Sequence, residues 1–340
     1  MIVDRLFVRA LAIAFALSAA VVSAGPALGI KIATIAPDGS TWMTEFRAAS
    51  AEIEKRTQGR VGFKFYPGGV MGNDQSVLRK MRIGQLHGAA FTGGGLAEVY
   101  ADSRIYGLPF LFRDEAELDF VRSKMDATFN TGLEQAGLVN FGFADGGFAL
   151  LMSVPPIAKL DDLKKSKTWV PEGDPTAYGM MQALGFPPVT LPLTDVMTGL
   201  STGLIGTVGS SPIGAVAFQW HTKVKYVSDL PFAWLFGVFC IDKKVFDKVP
   251  AADQAIVREV LTATFKKLNV QNRIDGLRAR EALNKQGLQT FKFNAEDVAK
   301  FERTGAQVAN ELAVKGSFDA KLYGQVVTLR DQYRAGAAKR

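Results

Sequence analysis

The chain has 340 residues, 48% hydrophobic and 21% charged, with a formal net charge of +7. This is a globular composition with enough apolar material for two ordinary domains, which excludes disordered and fibrous classes. Lys and Arg are interspersed with acids, as in AEIEKRTQGR and RDEAELDFVRSK, so the positive balance forms no basic stripe and argues against nucleic acid as a partner.

The first 24 residues place Arg5 and Arg9 ahead of an apolar run that ends in small residues and the tripeptide VSA at 22–24. This pattern predicts an export signal cleaved after Ala24. An uncleaved anchor helix is the alternative, although the run from Ala10 to Ala24 is short for a membrane span and rich in alanine. Removing the segment takes Asp4, Arg5 and Arg9 with it, so the net charge falls from +7 to +6. A single cysteine, Cys240, excludes an intrachain disulfide and reads as a small buried hydrophobe within FAWLFGVFCI. No cysteine stands at the cleavage point to carry a lipid.

From Ile30 onward, short β-type runs alternate with amphipathic helical patterns, the signature of an α/β fold. IKIATIAP reads as a first strand. Asp38 or Ser40 can cap a following helix in which Trp42, Phe46, Ala49 and Ile53 recur at helical spacing, stopped by TQGR. VGFKFYP alternates as a strand, NDQSVLRKMRIG is a short helix, and LHGAAFTGG is a third strand running into a glycine loop, which completes a βαβαβ unit. LVNFGFADGGFALLMSV, KTWVP, PPVTLP and LIGTVGSSP are further extended runs, with a helix at TAYGMMQALG. Two more, VKYVSDL and AWLFGVFCI, follow with only Pro231 and Phe232 between them, as expected of segments that pass between lobes. From about Ala251 to Gln286 the chain is helical, broken by no proline, and long enough to brace both lobes. The segment from Asn294 to Tyr333 is again helical.

The inventory of reactive groups argues against an enzyme. The two histidines, His87 and His221, are far apart, with no paired cysteines and no acidic cluster at metal-ligand spacing, so neither catalytic nor metal residues are assigned and no cofactor is expected. TGGGL at 92–96 lacks the Lys-Ser/Thr of a phosphate loop and the spacing of a dinucleotide site; it suits a strand-end loop where backbone approaches a ligand. GSS at 209–211 has no nucleophile elbow.

Several segments taken together, IATIAPDGSTWMTEFRAASAEIEKRTQGRVGFKFYPGGVMGNDQSVLRKMRIGQLHGAAF, LPFLFRDEAE, DLKKSKTWVPEGDPTAYGMMQALGFPPVTLPLTDVMTGLSTGLI and DKVPAADQAIV, resemble the extracytoplasmic solute-binding subunits of TRAP transporters, of the DctP type. The resemblance spans roughly residues 30–335. It implies a periplasmic protein of two α/β lobes, with a ligand cleft between them and a long bracing helix. It also implies capture of a small organic solute by closure and delivery to small and large membrane subunits driven by an ion gradient. On this reading residues 26–148 with 232–275 make lobe I, and 149–231 with 276–340 make lobe II, the C-terminal helices crossing back over both. The stretch LIGTVGSSPIGAVAFQWHTKVKYVSDLP further resembles a branch that works with a tetratricopeptide-repeat accessory protein. A periplasmic ligand sensor built on the same closure is the competing function.

The chain departs from the family where the solute's carboxylate is usually held. Many members read K-I-R-V-P at the segment matching KTWVP, and that arginine forks onto the carboxylate; here the position is Trp169. A second arginine found in acidic-sugar binders is replaced by Ala149, after Phe148. The stretch that commonly reads D-G-Q-E-N-P appears as GTVGSSP, with Gly206 for the Asp. Three polar anchors are thus exchanged for apolar or small residues, which predicts a solute with a substantial apolar or aromatic part. The expected wall is Trp169 with Ala149, joined by Phe148 and Trp234, and Phe148, Phe186, Trp234 and Phe236 are each candidates for wall or core. Thr92, Gly94, Ser210 and Ser211 are expected to hold a small polar head. The alternative keeps Trp169 as packing and places a carboxylate against Arg104 or Lys31.

Overall fold

The computed structural model describes residues 28–337, so the expected export signal lies outside the described residues. The chain opens with β1 (Leu28–Thr34), α1 (Thr41–Arg56), β2 (Val61–Tyr66), α2 (Asp74–Arg82) and β3 (Gly88–Thr92). Strand β1 pairs in parallel with both β2 and β3, as the βαβαβ reading requires. The Ser40 hydroxyl accepts from Met43 N–H at 3.3 Å to start α1, which buries Met43, Phe46, Ala49 and Ile53 along one face. Trp42 sits beside that face, only partly buried, its ring meeting Phe46 edge-on at 5.9 Å.

The middle of the chain supplies α3 (Glu115–Gln135), β4 (Leu138–Ser153), β5 (Thr168–Pro171), α4 (Pro175–Leu184), β6 (Pro188–Leu191), α5 (Val196–Thr202), β7 (Thr207–Ser210), α6 (Pro212–Ala217), β8 (Tyr226–Ser228) and β9 (Ala233–Asp242). It ends with α7 (Ala251–Lys285), β10 (Gln289–Phe291), α8 (Ala295–Val314) and α9 (Ala320–Ala337). The C-terminal helical segment is therefore in two pieces, parted near Gly316, whose φ of 72° ends the first.

The strand order β2-β1-β3-β9-β4-β7-β5-β6 describes two lobes sharing their central strands. Strand β4 explains how. Its first part pairs antiparallel with β9, whereas Leu150–Ser153 pair with β7, so one strand leaves the first sheet and enters the second. The β4–β9 register shifts between Asp145 and Phe148, where Gly147 adopts φ 80°.

Helix α7, about 50 Å long by its rise per residue, braces this junction. Its first half buries Val257, Leu261, Phe265 and Leu268 against Phe46 and Phe239 of the first lobe. Near its far end Leu283 joins Trp169 and Trp220 in the second. Between them, Arg273 Nε donates to Asp145 Oδ2 at 2.8 Å, while its two terminal nitrogens each donate to Asp119 at 2.7 Å. Asp145, 2% exposed, also accepts from Trp234 Nε1 and Gly147 N–H, both at 2.8 Å. Asn272 Nδ2 donates to its carbonyl at 2.8 Å. Strand, helix and bulge are thereby fastened at one point. Cys240 is fully buried in β9, and burial pushes its thiol pKa up, in keeping with a packing role.

Removing the guanidinium leaves a buried carboxylate without its counter-charge, so Arg273→Ala is expected to lower unfolding free energy by about 3 kcal/mol. Urea denaturation checks it; a loss within about 0.5 kcal/mol, the size of a surface change, would show that the junction is not held this way.

Candidate ligand-binding site

A cavity of about 950 Å³ opens between the two lobes, walled by loops at the ends of β1, β3, β5 and β7, by β9 and by the second half of α7. The lobes meet across it: Asn73 Nδ2, preceding α2, donates to Glu172 Oε2, following β5, at 3.0 Å. All four tryptophans of the chain, Trp42, Trp169, Trp220 and Trp234, line this cavity. Glycines let the rings come close to the backbone. A Cβ on Gly237 would stand 2.5 Å from the Trp42 ring, and one on Gly209 would stand 2.6 Å from the Phe232 ring.

Of the residues expected at the site, Trp169, Thr92, Gly94, Ala149, Ser210, Ser211 and Trp234 line the cavity. Phe148 does not: it packs against the first-lobe core, and this corrects the sequence expectation. The reason is strand alternation, because Ala149 and Leu151 face the cavity and their neighbour must point the other way. Phe186 is likewise core, packed with Met180 and Phe301, whereas Phe236 does line the cavity.

Several of these groups are already engaged. Trp169, 7% exposed, donates its indole N–H to Leu191 O at 2.9 Å and meets Trp220 edge-on at 5.4 Å. It therefore offers the cavity ring surface and no donor. Trp234, 1% exposed, stacks on Phe236 at 4.9 Å and lies under the Arg122 guanidinium at 4.8 Å. Ser210 Oγ donates to Ser211 O at 3.1 Å, and Ser211 Oγ accepts from Gly214 N–H at 3.2 Å as the cap of α6. Thr92 Oγ1 donates to Asp74 Oδ2 at 2.6 Å and accepts from Gly95 N–H at 3.1 Å. Lys31 is not part of the wall; Arg104 is, donating to Ser317 O at 3.3 Å.

The charged lining was largely missed from sequence. Six carboxylates reach the cavity, Asp74, Glu98, Asp145, Glu172, Asp174 and Asp275, against two guanidiniums, Arg104 and Arg278. Asp145 is paired with Arg273 at 2.8 Å and Asp275 with Arg278 at 3.6 Å; the other four form no salt bridge among the described residues. Burial pushes the Asp74 carboxyl up to about 6, against the Thr92 hydrogen bonds and helped by the charge of Glu98. Burial also raises Asp174, opposed by the N–H groups of Ala177 and Thr176 and by Arg104. The TGGGL run is fitted to this acid: a Cβ on Gly95 would collide with the Asp74 carboxylate. Only that glycine run hinted at the feature. Among the described residues, no group of three or more His, Cys, Asp or Glu could hold a metal ion, and no helix is long and apolar enough to cross a membrane.

The profile of the bacterial extracellular solute-binding proteins, family 7 (DctP), matches residues 32–315. The chain is 26% identical over 212 residues to the 2,3-diketo-L-gulonate-binding periplasmic protein YiaO of Escherichia coli K12, covering 60% of this chain and 63% of that one. It superposes on a TRAP periplasmic solute-binding protein of Xanthobacter autotrophicus Py2 with bound β-D-galacturonate at a TM-score of 0.81, with 24% identity over 89% of this chain and 99% of that one. A second such protein, from Desulfovibrio salexigens with bound orotic acid, superposes at 0.81 with 18% identity and the same coverage, 89% and 99%.

Asp74→Asn is expected to raise the melting temperature at pH 7. With its folded pKa near 6 against an ordinary 3.8, the Asp74 titration stabilises the fold fully below about 3.8 and loses that contribution as pH rises through about 6. The advantage of Asn should therefore shrink between pH 7 and 4. Paired thermal melts test this, and an Asn variant less stable than wild type at pH 7 would contradict it.

Proposed function

The chain belongs to family 7 of the bacterial extracellular solute-binding proteins, and from that premise we propose that it serves a TRAP transporter, capturing a solute with a broad apolar or aromatic body. The observation that carries this reading is the convergence of all four tryptophans on one interlobe cavity. Trp169 stands where the resembling sequences place a carboxylate-gripping arginine, and its N–H is committed to Leu191. An apolar solute gains from burial against such walls roughly in proportion to the area removed from water, about 25 cal/mol per Å². A carboxylate would find Arg104 and Arg278 as the wall's cations, outnumbered by acids.

Two structural relatives carry small organic acids, β-D-galacturonate and orotic acid, which supports a small organic solute here. With Trp169, Ala149 and Gly206 where the resembling sequences carry polar anchors, the solute of this chain has a larger apolar share than a sugar acid. The partners under this reading are the small and large membrane subunits. The segment from Leu204 to Pro231 adds a tetratricopeptide-repeat accessory protein, testable by co-purification. Export by a cleaved N-terminal signal places the protein in the periplasm, where the solute is met.

Thermal-shift and tryptophan-fluorescence titrations with apolar and aromatic solutes, beside succinate and galacturonate, test the reading. A fitting apolar solute at a hundred times its Kd adds about 2.7 kcal/mol, or roughly 5 °C in melting temperature, and perturbs tryptophan emission. Trp169→Arg should abolish that shift without creating tight succinate binding. Tight succinate binding by the Arg variant, with no apolar solute acting on wild type, would overturn the proposal.

A further inference from the structure

We infer that the polar end of the captured solute is a protonated nitrogen, seated between the Phe236 ring and the carboxylates of Asp74 and Glu98. This deepens the apolar-cleft reading and rests on it. Three independent features of the cavity point the same way.

The first is unbalanced charge. Asp74 and Glu98 line the cavity and form no salt bridge among the described residues. Glu98 Oε1 stands 3.7 Å from where a Cβ on Gly173 would lie, so it reaches the opposite lobe, whose Glu172 and Asp174 add further negative charge. Arg104 is the cation nearby, and its charge acts on Asp174. Bringing these lips together without a cation between them sets like charges against one another.

The second is the aromatic surface beside those acids. Thr92, bonded to Asp74 at 2.6 Å, leads directly into Gly93, and a Cβ there would lie 2.6 Å from the Phe236 ring. An aromatic ring beside carboxylates that have no cationic partner is the composition that recognises alkylammonium groups.

The third is spare acceptor capacity. Asn272, 4% exposed, lines the cavity and donates Nδ2 to Asp145 O at 2.8 Å. Because a carbonyl can only accept, that bond fixes the amide's orientation and leaves Oδ1, buried and unpartnered, as a pure acceptor. Ser103 Oγ, in the same wall, is likewise buried without a partner. Of the four indole donors around the cavity, those of Trp169 and Trp234 are taken by the protein itself. The Asn272 carbonyl thus asks the ligand for a donor, which an ammonium or amidinium group supplies and a carboxylate does not, while the Ser103 hydroxyl can accept from such a group as well as donate.

A protonated nitrogen could belong to a simple amine or to a zwitterion whose carboxylate turns toward Arg104. Matched probes separate these sources: phenethylamine, L-phenylalanine and 3-phenylpropanoate, with pentylamine, L-leucine and 4-methylpentanoate as the aliphatic set, each titrated into wild type, Asp74→Asn and Glu98→Gln. At least one nitrogen-bearing probe is expected to bind tenfold or more tighter than its nitrogen-free acid. That preference should fall about tenfold in Asp74→Asn, with circular dichroism confirming the fold, and the affinity should weaken as pH drops below about 6, where Asp74 takes up a proton. Binding by L-phenylalanine or L-leucine without the amines identifies a zwitterion; binding by both classes identifies the amine alone as sufficient. Nitrogen-free acids binding as tightly as their partners, or no loss in either variant, overturns the cationic head while leaving the apolar cleft standing. Binding of succinate or galacturonate alone removes the cleft reading itself and this inference with it.

Discussion

Asp145 is the constraint on which the architecture turns. A carboxylate buried to this depth survives only if its charge and lone pairs are met, and here the partners come from three directions: Arg273 from the long helix, Trp234 from β9 and Gly147 from the bulge. Each partner is also a structural decision. Arg273 fixes where the helix crosses the sheet. Trp234 orients the ring stack at the base of the cavity, and the bulge at Gly147 sets which residues of β4 face inward once the strand enters the second lobe. The site's geometry follows from how one negative charge is accommodated below it.

Above that junction the cavity is shaped by rings laid on glycines. Trp42 over Gly237 and Phe232 over Gly209 occupy space that any side chain at the glycine positions would deny them. The family's fold therefore hosts an aromatic chamber without a change of topology, by pairing large rings with backbone that has no Cβ. The carboxylates at the lips have a different origin: Asp74 begins α2 and Asp174 caps α4, so both belong to helix starts where acids are locally favoured. Local helix chemistry and cleft electrostatics are here served by the same residues.

The α/β alternation, the first βαβαβ unit and the long helix were legible in sequence because each rests on periodicity within a short window. So was the aromatic character of the cleft, through Trp169. What escaped depends on contacts between distant segments. Phe148 seemed to belong with Ala149, yet one step along a strand reverses the face, and the bulge that sets the phase leaves no mark beyond a glycine pair. Spacing sets Trp42 in one helical row with Phe46, Ala49 and Ile53, and only the close approach of Gly237 shows why it turns to the cavity. Asp74, an ordinary helix-start acid in the linear chain, becomes unusual when Thr92 and Glu98 fold against it.

Cys240 carries a consequence of its own. A lone thiol in an oxidising compartment finds partners only on other molecules, so an exposed one would link copies of the protein together. Placed between Ala89 and Asn140 in the centre of the sheet, with its ionisation suppressed, this thiol is withdrawn from such chemistry. The chain's freedom from covalent self-association therefore depends on the sheet remaining folded, and in an oxidising medium unfolding would leave a chemical as well as a conformational trace.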